Sequence, residues 1–245
     1  MTFENLLKGY LYQVSEHWQE VLTDFFPVSD ILEQEKILQH SGLYYRIDGG
    51  YEEAERARLF ITQQEYQLTS ENMQLSVVSF RGNTKFINFN HRDCLGALMS
   101  LGFDRKCIGD IIIYEDGFDV ITNTGINDFL LISNLTIKYV PMKKQIVSIE
   151  NWKAPEPKRQ SKTISVQQLR LDATIAKVYN LSRATTTDLI KAKKVKLNQR
   201  LTIDASKLCQ ENDVVSVQGY GKFYIKMVEG INRKGKLRVA VEEYI

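Results

Sequence analysis

Three cysteines in 245 residues, Cys94, Cys107 and Cys209, form no C-x-x-C pair. An odd count without metal-ligand spacing argues against both a disulfide framework and a zinc site, so these read as reduced, mostly buried thiols. The only histidines are His17, His40 and His91, too few and too scattered for a ligand cluster. No apolar run approaches the ~20 residues that a membrane span needs. The opening MTFENLLKGY lacks the basic-then-apolar layout of a signal peptide, so a cytoplasmic protein is expected. The pair Gly49-Gly50 lacks the spacing and the following Lys-Ser/Thr of a phosphate loop and reads as a turn. Synthetase signatures of the H-I-G-H and K-M-S-K-S kind are missing too, as are internal repeats and low-complexity tracts. No metal and no cofactor is expected.

What the chain does have is polarised charge. Residues 1–74 hold 5 basic and 13 acidic side chains, and residues 75–158 hold 10 and 9. Residues 159–245 hold 17 basic and 8 acidic, a net of +9 inside a chain whose total is only +2. Asymmetry of this kind suggests that one end meets a polyanion, nucleic acid first.

Periodicity divides the chain into an acidic α+β part (1–74), a middle α+β layer domain (75–152), a linker (153–163) and a C-terminal domain (164–245). Leu7, Leu11, Val14, Trp18 and Val21 form an amphipathic helical stripe, broken at Pro27 and Ser29. A second helix is predicted from about Asp30 to His40, with Ser29 as its cap. YEEAERARLFI, beside the Gly-Gly turn, reads as a solvated charged face that could dock on a ribosome or protein. LSVVSF and KFINF suggest a hairpin around Arg81-Gly82-Asn83, HRDCLGALMSLG a helix stopping at Gly102, and the strands around Glu115-Asp116-Gly117 a type I′ turn. INDFLLISNLTI reads as a helix and KYVPMKKQIVSIE as an edge strand. KAPEPKRQSKT has two prolines and four basic side chains, the composition of a linker. Two short helices, near 172–179 and 182–192, and five strands then follow.

The chemistry lies in that C-terminal stretch. Ser182 is a good N-cap, and Arg183, Thr187, Lys191 and Lys194 follow at offsets that span about 80° on a helix. They make one basic face, while Leu189 and Ala192 point toward a core. Lys196 and Asn198 extend the polar surface along the next strand, and Arg170 could join it. Cations on a rigid helix suit phosphate oxygens, through charge-assisted hydrogen bonds and counterion release.

The succession R-L-D, S-R, L-I-K, V-K-x-N and N-D-V-V-S-V resembles the S-four domain, the RNA-binding module named after small-subunit ribosomal protein four. The resemblance implies two helices on a small sheet and an RNA-binding set of Arg170, Ser182, Arg183, Thr187, Lys191, Lys193, Lys194, Lys196, Asn198 and Lys222. Lys193 and Gln199 stand where such domains usually carry glycine. The segments at 49–60, 91–113 and 219–223 resemble, in order, those of the YlmH family of bacterial S-four proteins, so the likeness covers nearly the whole chain. It implies an RRM-like middle domain and a monomeric, non-enzymatic protein on the large ribosomal subunit. Ribosomal RNA, and tRNA with it, would be the ligands, in translation quality control, with a link to cell division.

The rival is an RNA-modifying enzyme. The triplet at 170–172 resembles that of pseudouridine synthases, whose catalytic Asp lies there, but it leads straight into the S-R helix. Asp172 reads instead as a first-turn acid or a partner for Arg170. His91, Asp93 and Cys94 are close in sequence, yet nucleophile and base need side-chain contact, and residues 91 and 93 face apart on a helix.

Overall fold

The structure, a computed structural model, describes residues 2–245 and confirms an α+β architecture divided into two compact units, Met1–Ala154 and Pro155–Ile245.

The first unit opens with α1 (Phe3–His17), whose Phe3, Leu7 and Val14 are buried and which ends at Trp18 in left-handed backbone, φ 56°. Strands β1 (Val21–Leu22) and β2 (Phe26–Pro27) precede α2 (Val28–Glu33) and α3 (Glu35–His40). The single helix expected over 30–40 is thus two, and Ser29 does not cap it: it is buried in the first turn, donating to Asp30 at 3.2 Å. Strands β3 (Tyr44–Asp48) and β4 (Arg56–Thr62) complete a sheet in which β4 pairs with β1, β2 and β3. This corrects the solvated reading at Arg58, whereas Glu52 and Glu55 are exposed. β4 is the centre of the sheet, so Arg58 is only 6% exposed, its guanidinium donating to the carbonyls of Thr23, Met73 and Gln74.

The unit continues through β5 (Leu75–Arg81), α4 (His91–Met99), β6 (Ile108–Tyr114), β7 (Gly117–Asn123) and α5 (Asn127–Ile132). It ends with the small β8–β9 pair (Thr136–Ile137, Val140–Pro141) and β10 (Lys143–Ser148). The second sheet has the antiparallel order β10-β5-β7-β6. With helices after the first and third strands, this is the β-α-β-β-α-β arrangement of ferredoxin-like and RRM folds. Three local expectations fail. Residues 85–89 form no strand, because β5 finds its partners in β7 and β10. The 138–150 stretch, expected as one edge strand, breaks at Met142 into Val140–Pro141, which pairs with β8, and β10, which takes the edge of the sheet. The 115–116 turn is not type I′, which needs positive φ at both central residues, and neither has it. The following glycine is required instead: a Cβ on Gly117 would lie 1.9 Å from the Phe80 carbonyl oxygen.

One face of this sheet, carrying Val78, Phe80, Phe118 and Val120, packs on Cys94 and Leu98 of α4 and Leu130 of α5. The other face shares a core with the first sheet through Val77, Ile121, Phe25, Phe60 and Met73. RRM domains bind bases with aromatic residues on that second face. Here its central positions include Ser79 opposite Asp119, and Asp119 accepts from Arg81 and from Trp152, each at 2.8 Å. The topology is RRM-like, but the stacking platform is replaced by a core.

The second unit is a six-stranded sheet, β11 (Arg159–Val166), β12 (Val195–Leu197), β13 (Arg200–Leu201), β14 (Val214–Val217), β15 (Gly221–Ile231) and β16 (Leu237–Tyr244), in the order β11-β16-β15-β14-β12-β13. Helices α6 (Leu171–Val178) and α7 (Arg183–Lys191) cover one face, with Ile175, Val178 and Ile190 packed on Val195, Val215, Phe223, Ile225, Val239 and Val241. Residues 159–163, expected as linker, are strand, because each pairs with β16 from Tyr244 back to Ala240. Arg159 adds a reason: its guanidinium lies over the rings of Tyr244 and Tyr224 at 4.7 and 5.1 Å.

Candidate nucleic-acid interface

The junction of α6 and α7 is organised by one carboxylate. Asp172 stands in the first turn of α6, where a helix favours negative charge, and its side chain is only 5% exposed. The Arg170 guanidinium grips both its oxygens at 3.1 Å, Arg183 donates to Oδ2 at 2.5 Å, and the Ala173 amide donates to Oδ1 at 2.7 Å. Burial alone would raise the carboxyl's pKa, but these donors overcome burial and hold it below the ordinary carboxylate range. The loop behind is fastened by the Leu171 amide on Lys207, the Asp172 amide on Ala205 and the Cys209 amide on Leu169.

Two arginines are thus fixed 13 positions apart in sequence but side by side in space, with the Arg183 side chain 60% exposed and Arg170 35% exposed. Among the described residues, the remaining N–H groups of both have no protein acceptor. A pair of oriented, half-solvated guanidiniums is suited to phosphate oxygens.

Ser182 caps α7 as expected, accepting from the Thr185 amide at 3.0 Å. Lys191 is exposed in the last turn, and Thr187 is half-buried with its hydroxyl on the Arg183 carbonyl. The helix ends at Lys191 with Ala192 as its cap, close to the expected end. Its inward residues are Thr186, Leu189 and Ile190, while Ala192 is exposed. Lys193 follows in left-handed backbone, φ 57°, its amide on the Ile190 carbonyl and that of Lys194 on the Leu189 carbonyl, both at 3.0 Å. That is a Schellman stop with lysine in the position glycine favours. Lys194 is therefore exposed beyond the helix, not along it.

Asn198 and Gln199, φ 49° and 64°, form the two-residue turn between β12 and β13, a type I′ geometry. The Asn198 side chain is committed to the fold, accepting from the Val214 amide at 2.8 Å and donating to Asp213 at 2.7 Å. Lys196 and Lys222 are not part of the helix face. They alternate with buried Val195, Leu197 and Phe223, so they occupy the opposite side of the sheet, in one row with Ser216. There Lys222 Nζ lies 4.6 Å from the Tyr244 ring centre. The structure therefore brings Arg170 and Arg183 together on Asp172 beside the Ser182 cap, leaves Thr187, Lys191, Lys193 and Lys194 along α7 and past its end, and turns Lys196 and Lys222 to the other side of the sheet. Sequence reasoning grouped the strand lysines with the helix because it extended a surface through residue numbers, without the pleat.

The candidate chemistry elsewhere is weak. Asp172 has its oxygens occupied by four donors and faces two arginines, an environment unlike that of a substrate-facing nucleophile or base. Cys94 is fully buried, which pushes its thiol up to about 12, and Asp93 completes a capping box with Asn90.

Residues 69–152 match the family model described as "Putative RNA-binding domain in YlmH". The chain is 27% identical over 229 residues to ribosome-associated protein quality control protein P2 of Bacillus subtilis (strain 168), covering 94% of this chain and 89% of that protein. Among solved structures it resembles cell division protein ylmH from Streptococcus pneumoniae. That likeness has a TM-score of 0.51 and 20% identity over 61% of this chain and 94% of that one, and it speaks to the fold alone.

Proposed function

We infer, from a chain that belongs to the YlmH family, a non-enzymatic RNA-binding protein that acts on the ribosome in quality control of translation. Its ligand is structured ribosomal RNA of the large subunit, with tRNA as a neighbouring contact, and it works as a monomer in the cytoplasm. The observation that carries this reading is the arginine pair held on Asp172 at the α6–α7 junction, continued by the cations of α7 and its Schellman stop. The +9 charge of residues 159–245 supplies the long-range attraction, and the fixed guanidiniums supply the register. Three parts share the work: the basic unit from Pro155 binds RNA, while residues 1–74 and 75–152 place it on the subunit.

Replacing both Arg170 and Arg183 with alanine tests the reading. Affinity for ribosomal RNA should fall by about tenfold or more, on the scale of one or two lost charge-assisted contacts. Unchanged affinity with a native circular dichroism spectrum refutes it.

A further inference from the structure

In the first unit, two arginines converge on one backbone oxygen. Arg105, in the turn before β6, donates through Nη1 to the carbonyls of Ile108 at 2.6 Å and Gly109 at 3.0 Å. Arg56, the first residue of β4, reaches the same Ile108 carbonyl through Nε at 3.4 Å, and its Nη2 donates to the Phe25 carbonyl at 2.7 Å. Two guanidiniums on one acceptor are close enough to repel.

Asp110, Asp30 and Asp104 act on Arg56 at longer range, and Asp110 acts on Arg105, but none of them forms an ion pair with either guanidinium. Asp110 is turned instead to the Tyr51 hydroxyl at 2.9 Å and the Glu55 amide at 2.7 Å. Among the described residues neither arginine forms a salt bridge, although residues 1–74 hold 13 carboxylates. Neighbouring Lys106, by contrast, has Asp24 at 3.6 Å and Asp104 at 3.9 Å. Burial, and then the charge of Arg56, lower the Arg105 pKa to about 10, and burial followed by Arg105 lowers that of His91 at the start of α4. Arg58 shows what a purely structural arginine looks like here, enclosed and spent on three carbonyls. Arg56 and Arg105 are half-buried, and Arg105 Nε and Nη2 and Arg56 Nη1 have no acceptor among the described residues.

We propose that Arg56 and Arg105 bind a phosphate group of the RNA backbone, making the seam between the two sheets of the first unit a second RNA contact. This rests on the reading of the chain as an RNA binder. An anion there relieves the repulsion and takes up the unused donors, and the sheet face that RRM domains use is closed by the core. His91 and Arg105 lie inside the segment matched by the family model, and Arg56 lies outside it.

The test uses the full chain and the R56Q/R105Q double variant, with R170A/R183A in parallel. RNA affinity of the glutamine variant should fall about three- to tenfold, and its log–log salt slope should drop by about one. Inorganic phosphate at matched ionic strength should raise the melting temperature of the wild type and not of the variant. Native-fold R56Q/R105Q with wild-type RNA affinity overturns the proposal, even where phosphate stabilises the wild type, since the site would then take free phosphate. If the variant does not fold, ultraviolet cross-linking of the wild type to RNA decides: adducts on peptides carrying Arg56 or Arg105 support the contact, and their absence refutes it. Weakened R56Q/R105Q beside an unaffected R170A/R183A would sink the α6–α7 interface and leave this site standing.

Discussion

The Arg183 guanidinium on α7 donates at 2.5 Å to Oδ2 of Asp172 on α6, the same oxygen that Arg170 reaches at 3.1 Å. The acid therefore works as a clamp. It sets the distance between two cations and ties the second helix to the first turn of the preceding one.

Asp172→Asn keeps the shape and removes the charge, so the second unit should lose about 1–3 kcal/mol, the usual cost of weakening hydrogen bonds to a charged group. The folded carboxyl lies below its unfolded value of about 3.9, so the unfolded state binds more protons as acid is added. The clamp's stability is thus fully present above about pH 4 and is lost as pH falls through the folded value. Thermal melts from pH 7 to pH 3 should show this acid loss in the wild type and a flatter profile in the variant.

Lys193 and Gln199 occupy left-handed backbone at φ 57° and 64°. A side chain there costs about 1 kcal/mol, partly offset by the greater unfolded-state freedom of glycine. Lys193→Gly and Gln199→Gly should each raise the melting temperature of the second unit by roughly 2–5 °C. For Lys193→Gly a fall would mean that α7 does not end in this stop.

Residues 155–245 fold around their own core and carry the basic helix face, so this fragment should keep most of the intrinsic RNA affinity and residues 1–154 little. Binding should weaken steeply with salt, with a log–log slope of about four to five for some five phosphate contacts. Sedimentation of each fragment with ribosomes over a salt series measures both. Salt-insensitive binding by 155–245, or full binding by 1–154, contradicts the division.

Burial pushes the thiols of Cys94 and Cys209 up to about 12, while Cys107 is only half-buried. A thiol reagent at pH 8 should label Cys107 first in the native protein and all three cysteines after denaturation. Fast labelling of Cys94 would mean that α4 opens.

The two helices of the second unit were legible because their signals are local, whereas the strand over residues 159–163 and the facing of Lys196 and Lys222 were not. Ser182 announces a cap, Leu-Ile-Lys and the alternation of ENDVVSV announce periods, and the left-handed positions at Lys193 and Gln199 follow from where a helix and a hairpin must turn. The first unit was less so. Alternating charge and apolarity in YEEAERARLFI describes a surface, and nothing in it says that β4 will be paired by three other strands, which turns Arg58 into an interior bracket.

The sequence by itself determined the charge asymmetry, the two helices of the basic domain and the cap at Ser182. These depend on composition and on neighbours within a few positions. Only the tertiary structure decided that Asp172 holds two arginines, that the sheet's pleat turns Lys196 and Lys222 away from α7, and that Arg56 meets Arg105 at one carbonyl. Each of these is a long-range pairing, set by strand register and by which carbonyls and carboxylates the packed chain leaves within hydrogen-bond reach.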